Sequence, residues 1–479
     1  MKFYTNFYSK GDLVFIRGYN NGRRIVDRIE YSPTLYVPSR KGGTHQTVHG
    51  EPVEEMKLGS IKEARDFVSR YESVDNFKIY GSTNWAYACL NEHYGKDFDP
   101  DVVKVANIDI EVGSEDGFPD PELANQPITA ITVSVKGHYY VFGVGEYTNT
   151  RDDVSYMDCR GERRLLDVFL DFWERIDADI ITGWNVDGFD IPYLINRIKK
   201  LIGDKEANRL SPANWIQERE FKGNYGKTQK EYTLVGLAVL DYLQLYKKFT
   251  YSQQESYRLD HIAFVELGEK KLDYSEMETL HQLYKLDYQK FIDYNIKDVE
   301  LVDKLEDKMR LIEQALTIAY DAQVNYNDVF TQVRMWDVLI HNYLLDRNIV
   351  IPPKDFKGKD SKYAGAYVKD PQTGMHKWVM SFDLNSLYPH LIMQYNISPD
   401  TFIEGEYTQT SVDDLIAKRI PECPKDSTLT ANGHHYIRNR QGFLPEMMEL
   451  MYNERVLYKQ KMIEAQKELE EVNRQLREL

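Results

Sequence analysis

The sequence runs to 479 residues, with 60 Lys and Arg against 76 Asp and Glu, a formal net charge of −16 and a mean hydropathy of −0.56. So long a chain predicts about three domains rather than one core, and no apolar run approaches the roughly 18 residues of a membrane-spanning helix. Three cysteines without CxxC spacing (Cys89, Cys159 and Cys423) predict buried thiols and argue against a disulfide framework or a zinc site, while the acidic balance argues against non-specific nucleic-acid binding unless carboxylates load metal beside a local basic groove.

In chain order, MKFYTNFYSKGDLVF alternates aromatic and polar residues and lacks the layout of a signal peptide. Residues 1 to about 100 read as a small α/β domain, with strand-like TLYVPS and FKIYGS around the amphipathic SIKEARDFVSRYES. From about 104 to 310, strand-like VVKVANIDIEV, PITAITVSV, YYVFGV and DIITGW alternate with helical RRLLDVFLDFWERI and PYLINRIKKLIG, the pattern of a helix-flanked sheet. FKGNYGKTQKEYTLVG (221–236) predicts a β-hairpin, and PPKDFKGKDSK (352–362) a linker. The fold class expected is multi-domain α/β.

Three acidic signals occur in order. In VKVANIDIEV, alternation puts Val105, Asn107, Asp109 and Glu111 on one face, so two carboxylates project together about 6–7 Å apart. Side-by-side acids on an apolar strand cost stability unless a cation joins them; the bland alternative is a solvated edge strand. In ITGWNVDGFDIPYLINRI, Asp190 is placed to cap a helix with Pro192 in its first turn, and a plain N-cap is the bland alternative. In FIDYNIKDVELV, Tyr294 and Asp298 fall four apart on one helix face. Further on, 240–262 interleaves Tyr242, Tyr246, Phe249, Tyr251 and Tyr257 with Lys247, Lys248 and Arg258, a composition that suits single-stranded nucleic acid as well as ordinary aromatic packing.

Taken together, DxE, NxxxFDxPY and YxxxD resemble the three exonuclease motifs of the DEDD 3′–5′ exonucleases attached to family B DNA polymerases. The resemblance implies an RNase H-like exonuclease domain over 104–310, with two divalent ions, Mg²⁺ or Mn²⁺, held by Asp109, Glu111, Asp190 and Asp298. Tyr294 would orient the attacking water, since its ordinary pKa near 10 suits it poorly to act as a base. Lys247, Lys248 and Phe118 would meet the single strand, and the 221–236 hairpin would help to move the primer end.

In WVMSFDLNSL, alternation sets Val379, Ser381 and Asp383 opposite Trp378, Met380, Phe382 and Leu384, predicting a strand. DLNSLYP followed by HLI resembles motif A of the same family. By that resemblance Asp383 and Leu384 would bind metal, Ser386 and Leu387 would border the triphosphate, and Tyr388 would lie under the sugar and exclude a 2′-hydroxyl. Tyr363 and Gly365 in YAGAYVKDP would contact DNA, and Arg455 and Lys459 in GFLPEMMELMYNERVLYK, one helical turn apart, would hold the dNTP. The implied division is an N-terminal domain at 1–103 completed by about 311–354, a partial palm at 355–441 and the start of the fingers at 442–479.

The likeness is nearest to polymerases of T-even-like bacteriophages. No second fingers motif and no DTDS hairpin occurs in the sequence, so the palm's second carboxylate is not encoded in it. Met462, Ala465, Leu469, Val472, Leu476 and Leu479 keep heptad spacing and ask for an apolar partner. The expectation is therefore the N-terminal part of a split polymerase, with a second chain supplying the rest and the sliding-clamp contact; a shortened chain and a homodimeric coiled coil are the alternatives. Expected ligands are single-stranded DNA, primer–template, dNTPs and, as an added partner, RNA, with no membrane and a place in the infected bacterial cytoplasm. Two rivals stand: an RNA-binding translational repressor acting through the amino-terminal domain, and a free-standing DEDD-type RNA exonuclease.

Overall fold

A computed structural model of the chain describes residues 1–74, 77–115, 117, 119–222, 228–273, 277, 280–353 and 368–478. It divides into two units: Met1–Leu35, Met56–Phe77 and Gly81–Tyr343 form the first, and Tyr36–Glu55, Lys78–Tyr80 and Leu344–Leu479 the second.

The alternating amino terminus becomes an antiparallel meander of β1 (Lys2–Lys10), β2 (Leu13–Asn20) and β3 (Arg23–Glu30). The next strands, β4 (Thr34–Pro38), β5 (His45–Thr47) and β6 (Pro52–Lys57), pair in a separate sheet. Helix α1 (Ile61–Tyr71) starts where its caps dictate: Ser60 Oγ accepts from the Glu63 amide at 3.2 Å, and the Glu63 carboxylate accepts from the Gly59 amide at 2.9 Å. After α2 (Trp85–His93) comes the central sheet. FKIYGS, expected as a strand, makes one bridge, Tyr80 with Tyr36, before Gly81 turns the chain away at φ +103°.

That sheet is built from β7 (Val105–Val112), β8 (Ile128–Val135), β9 (His138–Gly143), β10 (Val154–Asp158), β11 (Ile180–Thr182) and, after the β12 (Ile216–Lys222)/β13 (Thr228–Leu234) hairpin, β14 (Ala238–Val239). Its order is β10-β9-β8-β7-β11-β14, so β7 is internal, antiparallel to β8 and parallel to β11. Helices α3 (Glu162–Ile176) and α4 (Asp190–Leu201) cover one face, where Leu165, Phe169, Leu194 and Ile198 pack on Ile108 and Ile110. A short α5 (Asp204–Ala207), α6 (Tyr242–Phe249), α7 (Leu259–Leu267) and α8 (Leu280–Leu286) lead to α9 (Tyr288–Met309), which buries Phe291, Ile292, Ile296 and Val299 against the other face; α10 (Leu311–Ala322) and α11 (Gln332–Leu345) follow. The strand DxE thus has an apolar face toward α3 and α4 and an acidic face toward α9.

In the second unit, β15 (Ile349–Val350) joins β5, β6 and β4, with Tyr36, Val53, Tyr80 and Val350 as its small core. Helix α12 (Leu387–Tyr395), β16 (Phe402–Tyr407), α13 (Val412–Ile416), β17 (Ser427–Leu429) and β18 (His434–Ile437) lead into the long α14 (Phe443–Glu478). The strand expected over 378–384 does not form: Trp378 is 97% and Phe382 86% exposed, and no strand pairs with them among the described residues. An alternating segment without a partner leaves its backbone groups to water and gains nothing from pleating. The 352–362 linker falls mostly outside the described residues.

Candidate active site

Asp109 and Glu111 leave the acidic face of β7, and a register slip between Glu111 and Val112 marks a β-bulge at that point. Across from them, Tyr294 and Asp298 stand one turn apart on α9, both buried. One carboxylate oxygen each of Asp109, Glu111 and Asp298 lie within 4.8 Å of one another, and Glu111 and Asp298 are buried. Asp190 does not cap α4 as expected: Phe189 precedes the helix, and Asp190, buried as its first residue and outside that trio, spends its Oδ1 accepting from the Ile110 amide at 3.0 Å, tying α4 to β7 between the two acids. The solvated edge strand is excluded, because β7 is central in its sheet.

Burial and mutual repulsion govern the titration of these groups. Burial, then the Asp298 charge, pushes Asp109 up to about 7, against the Lys271 ammonium and a 2.6 Å hydrogen bond donated by Asn295. Glu111 is raised by burial and Asp109, and Asp190 by burial and Asp109. Burial raises Asp298 as well, with Lys271 opposing. The Tyr294 hydroxyl is pushed upward by burial and by Asp298, which keeps it protonated. Lys271, which the sequence patterns did not single out, donates to Asp298 Oδ2 at 2.5 Å and to the Tyr294 hydroxyl at 3.1 Å. Asp298 Oδ1 is buried and has no hydrogen-bond partner. An orphaned buried oxygen beside two further carboxylates is a hard-donor set that fits a divalent cation.

Asn295 was also missed, though it adjoins Tyr294: its carbonyl accepts from Thr132 Oγ1 at 2.5 Å while its amide serves Asp109. Asp241, the N-cap of α6, organises the loop that precedes Asp190. Its carboxylate accepts from the amides of Asn185 at 3.1 Å, Asp187 at 3.2 Å and Leu243 at 2.9 Å.

The aromatic segment at 240–262 divides. Tyr242 and Tyr246 are fully buried and belong to the core, because residues four apart share the inward face of α6; they offer no stacking surface. Tyr251 is fully exposed, Lys247 is exposed with its ammonium 5.1 Å from the Tyr257 ring centre, and Lys248 is half-buried. Phe118, Tyr363 and Gly365 lie outside the described residues, as does the tip of the β12/β13 hairpin.

In the second unit Asp383, Leu384 and Tyr388 are exposed. Ser386, at φ +53°, sets the start of α12, whose first residue is Leu387. Arg455 on α14 reaches Ser386 Oγ at 3.5 Å, and Lys459 is exposed one turn further along the same helix. Among the described residues no trio of metal-ready groups surrounds Asp383.

Comparison with known proteins decides the family. The profile for the DNA polymerase family B exonuclease domain matches residues 70–262, and that for DNA polymerase family B matches 326–477. The chain belongs to DNA polymerase family B. This family B chain is 34% identical to the DNA-directed DNA polymerase of Escherichia phage RB69 over 97% of its length, and 30% identical to that of Enterobacteria phage T4 over 99%. It is also 27% identical to the DNA polymerase delta catalytic subunit of Dictyostelium discoideum over 75% of its length, which is 33% of that relative. It spans about half of the two phage polymerases, 54% and 55%. The exonuclease-domain match stops at 262, before Lys271, Tyr294 and Asp298. No helix is long and apolar enough to cross a membrane among the described residues.

Proposed function

We propose that the chain is a 3′–5′ proofreading exonuclease forming the N-terminal part of a replicative DNA polymerase, with an RNase H-like exonuclease domain over 104–310 between an N-terminal domain (1–103, completed by 311–354) and a partial palm (355–441) with the start of the fingers (442–479). The observation that carries this reading is the convergence of Asp109, Glu111 and Asp298 beside Tyr294 and Lys271. Asp109, Glu111, Asp298 and, behind them, Asp190 would hold the metal, two ions of Mg²⁺ or Mn²⁺ in this reading. Bound divalent cations supply an acidified water and charge neutralisation at a scissile phosphate. Tyr294, kept protonated, orients a water by hydrogen bonding rather than taking its proton. Lys271 offsets part of the carboxylate charge and leaves Asp298 Oδ1 open. Tyr251, Lys247 and Lys248 are the groups we assign to the single strand.

For synthesis, Asp383 and Leu384 would carry metal, Ser386, Leu387 and Tyr388 would line the dNTP site, and Arg455 and Lys459 would hold its phosphates. The exposed apolar face at 378–384, and Met462, Leu469, Val472 and Leu476 at 50% or more exposure on α14, support a requirement for further polypeptide to complete the palm. Synthesis, in the cytoplasm of an infected bacterium, would draw a further palm carboxylate, the thumb and the clamp contact from that additional polypeptide. The test is a 5′-labelled primer–template with Mg²⁺, with and without dNTPs. Wild type should shorten the primer, Asp109→Ala should lose at least about 10²-fold in rate, and Asp383→Ala should shorten normally. Extension by these 479 residues alone would refute the requirement for further polypeptide, and no shortening would refute the exonuclease.

A further inference from the structure

Residues 268–273, which carry Lys271, follow α7 and have no regular structure. Immobilising a lysine costs rotamer freedom, so a loop that presents one to a buried site needs support. Five contacts provide it. Glu269 accepts from Lys297 at 2.8 Å and from Lys304 at 2.9 Å, both on α9, the helix that carries Tyr294 and Asp298. Asp260, in the first turn of α7, accepts from the Lys271 amide at 2.9 Å. Where α7 ends, Gly268 (φ +73°) donates back to the Phe264 carbonyl at 2.9 Å, and Lys308 of α9 pairs with Glu266 at 3.3 Å. The loop is thereby tied to α7 through Asp260 and to α9 through Glu269, and its lysine ends within hydrogen-bond reach of the two α9 side chains named in the site.

We propose that Asp260 and Glu269 are positioning residues for Lys271, locking 268–273 between α7 and α9 so that the ammonium is delivered between Tyr294 and Asp298. The effect on rate rests on the exonuclease reading; the clamp itself is readable without catalysis. The direct readout is competitive acylation of lysines by a small N-hydroxysuccinimide ester, followed by peptide mass spectrometry, on wild type, Glu269→Gln, Asp260→Asn and the double variant of the full chain. Lys271 should label about tenfold faster in the variants, while the exposed neighbour Lys270 is unchanged. On a 5′-labelled single-stranded oligonucleotide with Mg²⁺, kcat should fall about tenfold with KM within about twofold. Glu269→Gln should cost nothing further once Lys271→Ala is present. Glu269 is 39% exposed, so its substitution leaves a folded protein to test even if Asp260→Asn does not fold. Unchanged Lys271 labelling, or rate losses that add in the Lys271→Ala background, would overturn the clamp. A wild type that degrades no single-stranded DNA would overturn the exonuclease reading instead, and the labelling contrast would still decide the clamp.

Discussion

At the scale of single residues, the site is a charge problem. Asp109, Glu111 and Asp298 crowd together, and Lys271 is the cation in contact with them among the described residues. Removing one partner of a buried pair leaves the other uncompensated. Lys271→Ala should therefore lower stability by about 3 kcal/mol, and Mg²⁺ should restore more of the melting temperature in the variant than it adds to wild type, as differential scanning calorimetry would measure. His341 offers a second case away from the site. Burial lowers its pKa from 6.5 to about 4, against a smaller opposing effect of Asp337, and its Nδ1 has no hydrogen-bond partner. The folded state then binds fewer protons than the unfolded chain between these values. Stability should be full above pH 6.5 and fall by up to about 3 kcal/mol as pH drops toward 4. His341→Gln should flatten that slope in denaturant titrations.

At the scale of elements, β7 and α9 were legible because their periods are. Alternation placed Ala106, Ile108 and Ile110 against α3 and α4 and left Asp109 and Glu111 for α9; four-residue spacing paired Tyr294 with Asp298. What aims the loop before Asp190 was not legible, because Asp241 acts from 51 residues further along, through backbone amides that carry no sequence signature. Asp241→Ala strips acceptors from Asn185, Asp187 and Leu243 at once. It should cost about 2–4 kcal/mol in urea unfolding and slow single-strand degradation through the loosened approach to Asp190. The aromatic segment at 240–262 was ambiguous for the opposite reason: Tyr composition fits a stacking platform and a core equally well, and only the structure shows Tyr242 and Tyr246 on the inward face of α6 and Tyr251 exposed beyond its end.

At the scale of the whole molecule, the first unit is held by a buried ionic knot joining the amino-terminal meander to the start of β11. Asp179, fully buried, accepts from Thr5 Oγ1 at 2.7 Å, the Tyr19 hydroxyl at 2.8 Å, the Lys104 amide at 3.0 Å and Arg24, which also pairs with Asp177 at 2.9 Å alongside Arg17. Burial works to raise the Asp179 carboxyl, but Arg24 and Arg17 outweigh it and hold it below its ordinary value. Its contribution is present above the ordinary carboxylate range and is lost as pH falls through the lowered value. Asp179→Ala should cost about 3–5 kcal/mol, since it takes the buried acceptor from Arg24, Thr5, Tyr19 and the Lys104 amide at once; guanidinium unfolding would measure it. No local pattern announces such a knot, because the meander residues Thr5, Arg17, Tyr19 and Arg24 lie more than 150 residues from their partners Asp177 and Asp179.

The amino-acid sequence by itself determined the family likeness, the strand that bears Asp109 and Glu111 on one face, and the helical pairing of Tyr294 with Asp298, because side-chain period and motif spacing are local quantities. Tertiary structure alone decided which of these groups meet. It gathered three carboxylates and set Asp190 on the Ile110 amide, brought Lys271 and Asn295 into the cluster, and left 378–384 unpaired. The physical reason is the same in each case: charge compensation and strand pairing depend on what lies opposite in space, and a partner remote in the chain leaves no mark on the local pattern.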